Sequence, residues 1–335
     1  MEKKWSKKKK IGITIVSILA AIVAVIGILF GTGVARTWVV EGAQSSYIKE
    51  VETISEEGLD KLFTENLTVE NDISYFEDGN ENTKLDFILP NNLNKSLPVI
   101  VNVHGGGLIG GDKSLNATQS RYFAQQGYAV VNINYTRMPD ASYKQIIQEI
   151  YASLHWVENN AEGYNLDLDH VYMTGDSAGG MLVSIMAAVL NGNEELQNYY
   201  GISNPGFEVK KFALTGPMVG TKTLVDPDNV VNGVFHFALG KDIYNNEEAM
   251  DMADIYQLVD KSDYPEIFIL TTKDDSAFYY QADKFDKFLN EKNIKHQYKV
   301  YESQGNELGH VFNVSYPDWE ESKQANSDII SFFEA

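Results

Sequence analysis

The chain has 335 residues, 44% of them apolar and 22% charged, with a formal net charge of −20 and no cysteine. That composition supplies enough apolar side chains for a sizeable core and excludes wholesale disorder. The absence of cysteine excludes a disulfide framework, a thiolate zinc site, an iron–sulfur cluster and a cysteine nucleophile.

The charge is unevenly spread. Residues 1–36 hold seven basic residues and one acidic residue, whereas residues 37–335 hold 20 basic and 46 acidic, a net −26. A body that acidic repels nucleic acid, so no nucleic-acid partner is expected. Residues 1–10 carry Lys3, Lys4, Lys7, Lys8, Lys9 and Lys10. Residues 11–35 then run from Ile11 to Ala35 without a charge. At about 1.5 Å rise per residue such a helix crosses a hydrocarbon core of about 30 Å. The lysines mark a cytoplasmic tail and direct everything after Arg36 outward, which predicts a single-pass membrane protein with an external domain. The alternative is a cleaved signal peptide and a secreted protein. Its apolar region normally runs only about 7–15 residues, although Gly33 and Ala35 offer small residues for cleavage.

Residues 36–66 read as a stalk or pre-domain helix, with Tyr47, Val51, Ile54, Leu59 and Leu62 loosely at helical spacing. From Leu67 strand and helix patterns alternate. Leu67–Phe76 and Lys84–Leu89 are predicted strands around a turn-rich stretch. Pro98–Val103 and Tyr128–Ile133 are short apolar runs of the kind buried on both faces of a sheet. Tyr143–Asn160 is a predicted helix, Val171–Thr174 a strand, and Ala178–Leu190 the helix after it. Val209–Leu214 and Ile267–Thr271 are further buried-type strands. Ala282–Leu289 is helical, Gln297–Tyr301 extended, and Glu320–Phe333 a closing helix. The alternation predicts an α/β domain over 67–335, with a mostly parallel central sheet flanked by helices. Residues 221–261 break the rhythm, are acidic and aromatic, and form a candidate cap over a site.

Gly175-Asp176-Ser177-Ala178-Gly179-Gly180 has the Gly-x-Ser-x-Gly pattern of a nucleophile elbow, and it stands between a predicted strand and a predicted helix as that motif requires. The strand must turn sharply into the helix and leave the serine hydroxyl exposed at the crest. Side chains two residues before and after the serine would collide. Earlier in the chain, His104-Gly105-Gly106-Gly107 directly follows the strand Pro98–Val103. Successive glycines leave backbone N–H groups open to an oxyanion. The Gly-x-x-x-x-Gly-Lys spacing of a phosphate loop is absent.

Together with Gly309-His310 near the C-terminus, these two motifs resemble the α/β-hydrolases, and within them the hormone-sensitive-lipase-like esterases and the neighbouring acetyl-esterase and feruloyl-esterase-like group. The resemblance spans roughly Leu67 to Ala335. It implies the α/β-hydrolase fold and hydrolysis of carboxylic esters through a Ser–His–Asp triad, without metal or cofactor. The acid and the base then follow the serine in that order. Of six histidines, His104, His155, His170 and His296 sit where a structural role is expected, and His236 lies in the candidate cap. His310, after the last strand, matches the family's base. The acid follows the strand Ile267–Thr271, where Asp274 and Asp275 compete. Counting from Thr272 favours Asp275, but no glycine fixes the register. Asp226 and Asp228 are remote alternatives.

The expected site is therefore Ser177, Asp275 and His310, with Gly106, Gly107 and Ala178 as oxyanion donors. The expected partners are a small-molecule or polysaccharide-linked ester, with acetyl or other short acyl groups, and the membrane. Phe235, Phe237, Phe278 and Tyr279 are candidates to line the acyl pocket. Two rival readings stay open on sequence alone, a peptidase or amidase on the same fold and a non-catalytic hydrolase-like binding module.

Overall fold

The computed structural model describes residues 58–335, apart from 77–78, 92–94, 226–242, 304 and 306, together with the isolated positions 42, 45, 49 and 53. The expected anchor over 11–35 and most of the expected pre-domain helix over 36–66 lie outside these residues. Among the described residues no helix is long and apolar enough to cross a membrane.

Eight strands form one sheet: β1 (Leu67–Ser74), β2 (Lys84–Pro90), β3 (Leu97–Val103), β4 (Ala129–Ile133), β5 (Leu166–Asp176), β6 (Val209–Thr215), β7 (Ile267–Thr272) and β8 (His296–Tyr301), in the spatial order β1-β2-β4-β3-β5-β6-β7-β8. β1 and β2 are a hairpin, and β2 also runs antiparallel to β4. Every other pairing is parallel. The parallel strands end together, with Val103 beside Gly175, Asp176 beside Thr215, and Thr272 beside Tyr301. Ligands of open α/β sheets bind at such carboxyl ends.

The helices that matter for the site are α1 (Ala117–Gln125), α2 (Tyr143–Tyr164), α3 (Ala178–Leu190), α4 (Glu194–Tyr200), α5 (Thr221–Leu224), α6 (Glu247–Met252), α7 (Ile255–Leu258), α8 (Tyr279–Glu291), α9 (Phe312–Ser315) and α10 (Glu320–Glu334). α2 starts where Ser142 accepts a hydrogen bond from the Gln145 N–H, and it runs to Tyr164, four residues beyond the expected stop, where Asn165 in the left-handed region caps it. Alternate strand residues supply two cores, as the pleat requires. Val99, Val101 and Val103 face the core formed with α2, α3 and α8. Ile100, between them, faces the core formed with α1 and α10. All thirteen residues of α3 are buried, so it carries no solvent face.

The candidate cap over 221–261 is described in part. Residues 226–242, with Asp226, Asp228, Phe235, His236 and Phe237, lie outside the described residues. The rest contains α5, α6 and α7, tied together where Asp254 accepts hydrogen bonds from the N–H groups of Lys222 and Tyr256. Residues 58–66 form a short 3-10 turn at Leu59–Lys61, not a long helix. This segment is clasped to α1, because Arg121 donates to the carbonyls of Leu62 and Asp60 and Thr118 donates to that of Leu59.

Candidate active site

Ser177 stands between β5 and α3, capping the helix, with φ 50° and ψ −117°, a backbone conformation that L-residues rarely hold. Its glycine neighbours explain how the turn closes. A Cβ on Gly175 would lie 2.6 Å from the backbone of Gly179, and a Cβ on Gly179 would lie 2.1 Å from the carbonyl oxygen of Val103. The elbow is therefore pressed against the end of β3 as well as against itself. The Ser177 N–H donates to the Thr215 carbonyl at 2.9 Å, which ties the elbow to β6.

The structure brings His310 and Asp275 to this serine. His310 Nε2 lies 2.8 Å from Ser177 Oγ, and His310 Nδ1 lies 2.6 Å from Asp275 Oδ2. The carboxylate can only accept, so Nδ1 carries the proton and Nε2 is left to accept from the serine hydroxyl. Asp275 is almost wholly enclosed, while the imidazole keeps about a third of its surface open. That encloses the carboxylate and leaves one part of the imidazole open to solvent.

The competition between the two aspartates has a geometric outcome. Asp275 reaches the imidazole, and its other oxygen accepts from the Phe278 N–H at 3.0 Å. Asp274 instead accepts from the Leu308 N–H at its Oδ2, at 3.1 Å. Its side chain is exposed to water as well. It holds the loop that carries His310. The Phe278 ring lies 4.6 Å from the His310 ring and covers one of its faces. Tyr279 opens α8 instead.

After β3 the chain enters the left-handed region at Gly106, Gly107 and Leu108 (φ 113°, 64° and 70°). Among the described residues no protein acceptor occupies the N–H of Gly106, Gly107 or Ala178. Ala178 is the first residue of α3, so its N–H sits at the positive end of a helix dipole. His104 is bonded elsewhere than to Ser177. It is buried, stacks on Tyr135 at 4.4 Å, and its Nδ1 donates to the Gly105 carbonyl at 2.6 Å. Burial lowers its pKa to about 4, so it stays neutral. The remaining described histidines pair with local carboxylates, His155 with Glu158, His170 with Asp167 and His296 with Asp286.

Two residues beside the site gave no chemical signal in the sequence. Asp176 stands in a variable position of the Gly-x-Ser-x-Gly pattern. Asn116 falls in a stretch with no recognisable period. Both are buried and bonded to one another.

A mostly parallel sheet with the elbow after β5, the acid after β7 and the histidine after β8 defines an α/β-hydrolase. The BD-FAE family model matches residues 85–289, more than half of the chain, and the chain belongs to that family. It is similar to carboxylesterase NlhH of Mycobacterium tuberculosis, 36% identical over 93 residues, which are 28% of this chain and 29% of that protein. The chain spans about a third or less of the length of the curated relatives it matches. Among solved structures, esterase B from Lactobacillus rhamnosis (HN001) is 28% identical with a TM-score of 0.81, covering 89% of this chain and 95% of that one. A second structure of esterase B, inhibited by a C4-C4 tributyrin phosphonate, is 29% identical with a TM-score of 0.75, covering 87% of this chain and 95% of that one.

Proposed function

We propose that the protein is a serine hydrolase that cleaves carboxylic esters of short acyl groups. The observation that carries this reading is the hydrogen-bonded series Ser177–His310–Asp275, with contacts of 2.8 and 2.6 Å. His310 takes the proton of Ser177 as its oxygen attacks the ester carbonyl. Asp275 holds the imidazole in the required tautomer and stabilises its charged form. The N–H groups of Gly106, Gly107 and Ala178 receive the oxyanion of the tetrahedral intermediate. His310 then protonates the leaving alcohol, and water cleaves the acyl-enzyme by the same steps in reverse roles. The name of the relative NlhH, a carboxylesterase, supports the ester bond as substrate. The tributyrin phosphonate that inhibits esterase B supports a short acyl chain.

The apolar run over 11–35, behind six lysines, supports a location at the membrane with the domain outside the cytoplasm. Release into the medium after signal cleavage is the alternative, and protease added to whole cells distinguishes the two, since an anchored outward domain is removed while the tail is protected.

Purified Ser177→Ala is expected to lose p-nitrophenyl butyrate turnover by a factor on the order of a million, as in the comparable protease series, with the fold intact. Asp275→Asn is expected to cost far more than Asp274→Asn. A Ser177→Ala protein that keeps a tenth of wild-type turnover refutes the assignment of the nucleophile.

A further inference from the structure

The carboxyl of Asp176, next to Ser177 in the chain, is bonded to the glycine loop and to Asn116. Its Oδ1 accepts from the Gly105 N–H at 3.0 Å and from Asn116 Nδ2 at 2.8 Å. The contact with the loop is close on every side. A Cβ on Gly105 would lie 2.4 Å from Asp176 Oδ2, and 3.0 Å from both the Asp176 carbonyl oxygen and Ser177 Cβ. The side chain is 5% exposed, and burial pushes its pKa up. An apolar residue would fill this space without the cost of burying a carboxyl, so packing alone does not account for an aspartate here.

Its second partner extends the attachment. Asn116 also donates to Asn102 on β3, Asn102 donates to Gln119 on α1, and Gln119 donates to Asn326 on α10. Asn326 in turn accepts from Asn313, three residues beyond His310. The glycine loop, the elbow and the segment after His310 thus touch one buried polar chain whose carboxyl end is Asp176.

Resting on the ester-hydrolase reading above, we infer that Asp176 is a positioning residue that clamps the glycine loop His104–Gly107 to the elbow and so fixes where the oxyanion donors stand relative to Ser177 Oγ. The carboxylate binds Gly105, the residue before the two donor glycines, and it is itself joined to Ser177 by one peptide bond. Movement of the loop away from the elbow has to break that hydrogen bond. Donors matter to the rate only at the position the oxyanion occupies, so loosening the clamp lowers kcat and leaves ground-state binding almost untouched.

The test uses the full-chain enzyme, p-nitrophenyl butyrate and a double-mutant cycle, with Ser177→Ala as the control. Asp176→Ala is expected to lower kcat about 10- to 100-fold with KM within about threefold, less than the loss of a whole oxyanion donor, about 100- to 1,000-fold. Asp176→Asn keeps an acceptor for the Gly105 N–H and stays within about threefold of wild type in kcat. Gly105→Ala keeps the carboxylate but wedges the loop off the elbow, with a kcat loss like that of Asp176→Ala. The double variant is no more than about threefold worse than the poorer single one, because both act on one contact. If Asp176→Ala does not fold, the contrast between Gly105→Ala and Asp176→Asn carries the test. Wild-type kcat in Gly105→Ala, additive losses in the cycle, or an Asp176→Asn as damaged as Asp176→Ala overturns the clamp. Full activity in Ser177→Ala overturns the underlying reading instead.

Discussion

The two faces of the sheet are held by different chemistry. On one, α3 and α2 press apolar residues onto Val99, Val101, Val103, Val131 and Ile133, and α3 is buried from end to end. On the other, the stretch entering α1 buries Asn116, Gln119 and Ser120, which meet Asn102, Asn313 and Asn326 in a hydrogen-bonded chain beside an apolar remainder. The apolar face is non-directional and supports the elbow by packing. The polar face is directional and fixes the angles between segments, which is what a site assembled from four separate loops needs. Burial alone would treat the two faces as equal, but their failure modes differ.

The largest expected effect is on the apolar face. Leu182→Ala removes a fully buried side chain in the middle of α3 and is expected to cost about 2–5 kcal/mol of stability. Its kcat should stay within a few-fold while the protein is folded. Chemical denaturation together with turnover below the midpoint checks both halves. A folded Leu182→Ala with collapsed turnover would blur the distinction between the faces.

Next is the polar face. Asn326 accepts from Gln119 and Asn313 and donates to the Asn313 carbonyl at 3.0 Å. Asn326→Leu leaves those buried donors unpaired and is expected to cost about 1–3 kcal/mol. Because Asn313 follows His310 closely, turnover should fall more per kcal/mol lost than in Leu182→Ala. Equal ratios of rate loss to stability loss in the two variants would show that the polar chain is structural padding.

The smallest expected effect is a pH slope. His104 is buried neutral, with a folded pKa near 4 against 6.5 unperturbed. Between those values the unfolded chain binds a proton that the folded protein refuses. Its contribution is therefore present above about pH 6.5 and is lost as pH falls towards 4, at no more than about 1.4 kcal/mol per pH unit. Denaturation series from pH 7 to pH 4 should show a shallower fall in His104→Asn than in wild type. Parallel curves would mean that His104 is protonated in the fold.

The same contrast explains what could be read from the sequence. α3 was legible to the residue, because Ala178–Leu190 is a continuous apolar run after a glycine-bounded serine. The buried strands were placed to within a residue or two, except that β5 begins at Leu166, where the charged stretch before Val171 hides an extended start. α1 left no trace. Of its buried residues Thr118, Gln119, Ser120, Phe123 and Ala124, the first three are polar, so hydrophobic periodicity is too weak to mark a helix where hydrogen bonds share the packing. Ser177 and His310 could be placed by motif and chain order. Spacing from Thr272 favoured Asp275 over Asp274 without fixing the register, since the choice depends on how the turn after Thr272 folds, where the Asp275 N–H donates to the Thr272 carbonyl. The role of Asp274 in holding the loop at Leu308 is a contact across 34 positions and has no local signal.

The most direct test of the account is covalent. An alkyl p-nitrophenyl phosphonate should release one equivalent of p-nitrophenol per enzyme, and peptide mass spectrometry should place the adduct on Ser177, with labelling slowed severely in His310→Ala. Absence of an adduct in folded, ester-cleaving enzyme, or an adduct on another residue that accompanies loss of turnover, would contradict the account.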